Sequence, residues 1–166
     1  MQPRLLLFCG IPGSGKTTIA TIVAERLSRA VLVQTDGVRA MIAHPRYNGG
    51  ESRFVYGAVV AIAGEALRSR YDTILDGTFP KEEFRREALS ALSRFSASQL
   101  VVHVTCDPEL ALQRNAARKE VVPEETLIRM YQHFEAPRNA VTLDTGRLGP
   151  TDAAMELLSI LEQRTL

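Results

Sequence analysis

The sequence predicts an α/β fold in which a parallel sheet is covered by helices on both faces. Two observations predict it. Five short apolar runs alternate with stretches of helical spacing along 166 residues, a rhythm that strand–helix–strand units produce. A glycine-rich turn, Asp36, Asp76 and Asp107 each follow the end of such a run, as polar groups do at the C-terminal edge of a parallel sheet. No internal repeat, linker or low-complexity segment divides residues 1–166, so a single domain is expected.

Arg4 to Cys9 reads as a buried strand that ends where Gly10 opens a turn. Helical spacing follows through Ile19, Ile22 or Val23, and Leu27. Ala30 to Thr35 is the second strand, with Asp36 at its edge, and Gly37 to Ala43 reads as helical until His44-Pro45 interrupts it. After the loop Arg46 to Glu51, a long helix is expected from Ser52 to Arg70, with Phe54, Ala58, Ile62 and Ala66 on one face. Asp72 to Leu75 is the third strand, and a helix from Lys81 to Phe95 carries Phe84, Ala88, Leu92 and Phe95. Gln99 to Thr105 is the fourth strand. Asp107 can then cap a helix that has Pro108 in its first turn. A charged patch from Arg114 to Glu120 precedes Pro123, which starts a helix bearing Leu127, Met130 or Tyr131, and Phe134. Ala140 to Leu143 is the fifth strand. The closing helix begins near Thr151, with Ala154, Leu157 or Leu158, and Leu161 inward.

Composition excludes little. Hydrophobic residues make up 45% of the chain and the formal net charge is +1, so no strong field announces a nucleic-acid or membrane surface. Cys9 and Cys106 both lie in apolar runs and read as buried thiols of a reducing compartment, not a disulfide. The N-terminal apolar run is too short for a signal peptide, and nothing approaches a membrane span. A cytoplasmic location is the expectation, and no feature calls for an obligate protein partner.

The turn "GIPGSGKTT" carries the chemistry. Gly10 to Thr17 fits one Gly, four residues, then Gly-Lys-Thr, behind a strand and ahead of a helix. Gly10, Gly13 and Gly15 let the backbone approach oxygens. N–H groups of Gly10, Ile11, Pro12 (which has none to give), Gly13, Ser14, Gly15, Lys16, Thr17 and Thr18 mark the expected nucleotide-binding stretch. Lys16 would meet β- and γ-phosphate oxygens and the Thr17 hydroxyl would ligate Mg²⁺, whereas Thr18 is less constrained and can pack against the sheet. A dinucleotide fold is poorly supported, because Gly10-Ile11-Pro12 does not open GxGxxG.

On these motifs the chain resembles small P-loop kinases related to polynucleotide 5′-hydroxyl kinase domains and seryl-tRNA kinases. The resemblance runs from Leu5 to about Pro137, through the loop, Thr35-Asp36-Gly37-Val38-Arg39, Leu75-Asp76-Gly77-Thr78-Phe79 and Gln113-Arg114-Asn115-Ala116-Ala117-Arg118. It implies a three-layer αβα sandwich of the P-loop NTPase/kinase type with a five-stranded parallel sheet in order 2-3-1-4-5, and a lid around 114–123. It also implies ATP and Mg²⁺ as cofactors and transfer of the γ-phosphoryl group to an acceptor hydroxyl.

By that resemblance Asp36 is the general base, and a carboxylate at the strand end next to the loop can orient an alcohol for in-line attack. Arg39 would grip a substrate phosphate or carboxylate, unless Asp36 is a helix cap and Arg39 a solvated charge. Asp76 would hold a Mg²⁺-bound water or orient Lys16 or Thr17, or else satisfy loop amides. Phe79 stands where the resembled motif has Asn. Thr78 and Arg85 remain candidates for acceptor contact, with a solvated helix charge as the alternative for Arg85. Arg114 and Arg118, four residues apart, would share one helical face and bring positive charge over the transferring group, with Arg118 over the leaving group and Arg114 bracketing it or the adenine side. Lys119 reads as surface. The Asp36-x-x-Arg39 pair suits an alcohol acceptor better than the phosphate acceptor of a nucleoside monophosphate kinase.

A regulatory GTPase is disfavoured, since Leu143-Asp144-Thr145-Gly146 supplies no Asn-Lys-x-Asp element. A nucleotide-binding NTPase or regulatory module without a hydroxyl acceptor is the alternative. For a kinase, the partners are ATP and a hydroxyl-bearing small molecule or a nucleic-acid 5′ end. Arg46, Tyr47, Arg53 and Tyr56 are the one grouping that would suit the latter.

Overall fold

In the computed structural model of the chain, which describes residues 2–46, 49–118 and 121–164, the expected alternation is present. The order is β1 (Arg4–Cys9), α1 (Lys16–Arg26), β2 (Ala30–Gln34), α2 (Thr35–Arg39), α3 (Gly49–Arg68) and β3 (Asp72–Asp76). Then come α4 (Glu82–Leu92), a 3₁₀ turn (Ser93–Phe95), β4 (Ser98–Thr105), α5 (Pro108–Ala116), α6 (Glu124–Gln132), β5 (Val141–Asp144) and α7 (Pro150–Gln163). Tyr47, Lys119 and Glu120, named above, lie outside the described residues.

The five strands are all parallel and lie in the order β2-β3-β1-β4-β5. β1 is central, which explains its uninterrupted apolar run: a strand covered on both faces has no polar side to alternate with. Leu6 and Phe8 join the core beneath α1 and α7, with Ile19, Val23, Ala154 and Leu157. Leu5, Leu7 and Cys9 join the opposite core, with Val55, Val59 and Leu67 of α3 and Leu92 of α4. Each fully buried Leu or Phe contributes about 1.5–3 kcal/mol, so this one strand anchors both layers. Its register sets Phe8 opposite Asp76, and Asp76 opposite Gln34. The strand ends therefore gather at one edge.

Several expectations are corrected. The inward face of α3 is Val55, Val59, Ala63 and Leu67, while Phe54 and Ile62 are exposed. Of the expected stripe, Ala66 is buried and Ala58 packs against the core, whereas Phe54 and Ile62 give way to their neighbours, because apolar residues fill most of the helix circumference and periodicity cannot choose between adjacent rows. The helix expected over Gly37 to Ala43 is the short α2, which takes Asp36 into its first turn. α5 stops at Ala116, so Arg114 and Arg118 do not share a helical face. Thr18 is exposed at the start of α1 and does not pack on the sheet. Both cysteines are free and buried. Among the described residues no helix is long and apolar enough to cross a membrane.

Candidate active site

The turn between β1 and α1 is shaped by what it must avoid. A Cβ at Gly13 would lie 2.3 Å from the Ala111 carbonyl oxygen, and its φ is +83°; one at Gly10 would lie 2.2 Å from that of Val104. Only glycine lets the loop sit this close to β4 and α5. The Gly10 N–H donates to Thr78 O (3.2 Å), which ties the loop to the chain leaving β3. α1 starts at Lys16 with no side-chain cap and no acid in its first turn. Its first N–H groups and the positive end of its dipole are thus left for an anion.

Lys16 is half-buried, and its Nζ makes a long contact to Ile11 O (3.5 Å). Burial lowers its pKa, opposed by Asp76 and Asp36 and reinforced by Arg118. Among the described residues no acid meets the ammonium at ion-pair distance, so burial is offset only from further away, a state that an arriving polyphosphate relieves.

Thr17 Oγ1 donates to Asp76 Oδ2 at 2.7 Å, and Gln34 Nε2 donates to the same oxygen at 3.2 Å. Asp76 is 3% exposed and its Oδ1 is buried with no hydrogen-bond partner among the described residues. An orphaned carboxylate oxygen beside a hydroxyl is a hard-oxygen pair that fits Mg²⁺, which keeps most of its shell as water and substrate phosphate.

Asp36 stands on the rim with its side chain 82% exposed, and Arg118 Nη2 meets its Oδ2 at 3.9 Å. Arg114 turns elsewhere. Its Nη1 donates to Thr145 Oγ1 (2.7 Å) and its Nη2 to Thr145 O (3.0 Å), while the Thr145 hydroxyl donates to Ser14 O (2.8 Å). Arg114 thus roots α5 to the loop after β5 and, through Thr145, to the glycine turn. Asn115, 3% exposed, bonds the main chain of Val122 at both its N–H and its C=O.

On the acceptor side the expected residues separate. Thr78 is half-buried beside Gly10. Phe79, at φ +39°, is fully buried against Tyr56, with ring centroids 5.0 Å apart. The residue in the Asn position has become a core anchor. Arg85 is also a correction, because it is 1% exposed and faces inward. Its Nη1 donates to Phe79 O (2.7 Å), its Nη2 to Glu135 O (2.7 Å) and Glu82 Oε2 (2.8 Å). It fastens the chain after β3 to the segment after α6. Arg39 is ion-paired with Glu51 at the start of α3. Asp107 caps α5 by accepting from Glu109 N (2.9 Å).

The residues that bear on the site and were not singled out are Gln34, Glu51 and Thr145. None belongs to a motif, although each neighbours one of the strand ends where functional groups gather. Gly77, directly after Asp76, presses on Thr35, directly before Asp36: a Cβ there would lie 2.6 Å from Thr35 Cγ2.

A family model described as an AAA domain matches residues 5–137. In sequence the chain is similar to L-seryl-tRNA(Sec) kinase of Methanococcus maripaludis, at 22% identity over 174 aligned residues covering 98% of this chain and 68% of that protein. In structure it is similar to a sugar kinase from Janibacter sp. HTCC2649 (TM-score 0.75, 20% identity, 96% of this chain and 95% of that one). It is also similar to the Mycobacterium tuberculosis APS kinase in complex with AMPPNP and APS (TM-score 0.73, 15% identity, 97% and 98%).

Proposed function

Because the chain belongs to this AAA-domain family of P-loop kinase-like proteins, we propose that it transfers the γ-phosphoryl group of ATP to an acceptor hydroxyl. The observation that carries this reading is the meeting of Asp36 and Arg118 at 3.9 Å on the rim beside Lys16. An exposed carboxylate and a guanidinium from the far side of the cleft are what an alcohol and a transferring phosphoryl group require together.

The triphosphate lies on the main-chain N–H groups of the glycine turn, and Lys16 takes the β- and γ-oxygens. Thr17 and Asp76 would hold Mg²⁺, which would neutralise charge on the phosphates. Asp36 aligns the acceptor hydroxyl and receives its proton as the new oxygen–phosphorus bond forms. The bond from the γ-phosphorus to the bridging oxygen breaks, and ADP leaves with that electron pair. Arg118 moves from Asp36 to the transferring group once substrate enters, and Arg114, fixed by Thr145, flanks the adenine side. Residues 114–123 act as the lid of one domain, and Thr78 reaches the acceptor.

A transfer assay with γ-labelled ATP, run over nucleosides, sugars, aminoglycosides, tRNA, and DNA and RNA 5′-hydroxyl ends, tests this reading. Label should appear on at least one alcohol. ATP binding with no transfer to any of them would instead favour a nucleotide-binding module.

A further inference from the structure

Resting on that phosphotransfer reading, we propose that Glu51 determines specificity, making the acceptor a small hydroxyl compound with no phosphate beside its reacting alcohol. Beside the solvent-exposed Arg46 and Arg53, the cations expected to contact the acceptor are Arg39 and Arg85. Arg85 is turned into the protein and held by the carbonyls of Phe79 and Glu135. Arg39 is paired with Glu51, and the two side chains are only 15% and 10% exposed. The second carboxylate oxygen of Glu51 accepts the Arg46 N–H at 2.6 Å, so the carboxylate is held from two directions.

The pair presents no net charge to the cleft, and Asp36 adds a full negative one. Asp36 and Arg39 stand three residues apart on α2, a spacing that puts them on one side of the helix. Arg118 does not change the balance where the acceptor binds, because in the reaction it covers the transferring phosphoryl group. A phosphate next to the acceptor hydroxyl would find Arg39 already paired with Glu51 and the Asp36 carboxylate at close range, where like charges repel strongly. Hydroxyls suit the same place. One can donate to a carboxylate oxygen and accept from a guanidinium N–H. Phe54, three residues along α3 from Glu51 and 60% exposed, adds an apolar face on the same side of the helix for a sugar or base ring.

The test compares matched acceptors in the γ-labelled ATP assay: adenosine with adenosine 3′-phosphate, guanosine with guanosine 3′-phosphate, and ribose with ribose 5-phosphate. A 5′-hydroxyl oligonucleotide and tRNA form further arms. For the parent protein the neutral member of a pair should have the higher kcat/KM, by roughly tenfold or more. Glu51→Gln, which keeps the shape but removes the charge, should narrow that ratio by about tenfold while the nucleotide-induced rise in Tm persists. Preference for the phosphorylated member, or for the oligonucleotide or tRNA, would overturn the inference and leave the kinase reading standing. An unchanged ratio in a folded Glu51→Gln protein would remove Glu51 from the account. The parent ratio decides the acceptor class even if the variant does not fold. No transfer in any arm would overturn the kinase reading, and the inference with it.

Discussion

Asn115 clasps Val122 by two hydrogen bonds, donating from Nδ2 to the carbonyl (2.7 Å) and accepting the N–H at Oδ1 (3.1 Å). This fixes where the chain leaves α5 and where it returns towards α6, with Arg118 between the two points. Asn115→Ala leaves a buried donor and acceptor unsatisfied and should cost about 1–3 kcal/mol in urea unfolding. Transfer should fall more than nucleotide affinity, because the clasp places Arg118 and does not touch the glycine turn. Unaltered stability together with unaltered kcat would rule out this role.

Asp36→Asn keeps the side-chain shape and removes the proton acceptor. Transfer should drop about 10²–10⁴-fold, while ATP affinity by calorimetry changes little. Equal catalytic rates in variant and parent would dismiss Asp36 as the base.

Lys16→Ala should abolish transfer and behave unusually in thermal unfolding. Burial lowers the pKa of this ammonium from 10.5, so the nucleotide-free fold bears the cost of desolvating it. Below the lowered pKa, both the folded and unfolded states carry the proton and that cost is constant. As pH rises from there towards 10.5 only the folded state releases the proton, and the contribution of Lys16 to stability rises. The nucleotide-free variant should therefore be at least as heat-stable as the parent near neutral pH, yet lose the rise in Tm that ATP gives. A large loss of stability without nucleotide would contradict this.

Burial pushes the Cys9 thiol up from 9.0 to about 12. The folded state thus holds this proton more tightly than the unfolded chain, so its stabilisation is complete below pH 9 and is lost as pH rises from 9 towards 12. Denaturation midpoints measured from pH 8 to 11 should fall more steeply for the parent than for Cys9→Ala. Matching slopes would show that another group controls alkaline stability.

Arg85→Met removes the buried guanidinium and leaves two carbonyls, those of Phe79 and Glu135, without their donor. A loss of about 3–5 kcal/mol is expected, read from chemical denaturation. A near-neutral effect would mean that other groups hold the chain after β3 to the segment after α6.

The strands were legible because β1 is apolar from Leu5 to Cys9, as a doubly covered strand must be, and because glycine or acid punctuation follows the strand ends; their order was legible only through the resemblance to P-loop kinases. The face of α3 was not, since Phe54 and Val55 are adjacent apolar residues and only the packing surface distinguishes them. The spacing of Arg114 and Arg118 promised one face, but that holds only while the helix lasts. The Arg118 N–H turns back to Asn115 O (3.1 Å) and closes a tight turn instead. Arg85 looked like an ordinary helix arginine. Its carbonyl partner at Glu135 lies 50 residues away, and no local pattern records such a contact. Thr145 and Glu51 were missed for the same reason, as their partners Arg114, Ser14 and Arg39 are brought to them by topology.

The contact of Gly77 with Thr35 acts as a fixed caliper. Because each of these residues adjoins one of the two acids, the gap between Asp36 and Asp76 is gauged by a single missing methyl group. A side chain at position 77 would have to push Thr35 aside, and with it the first turn of α2 on which Asp36 stands.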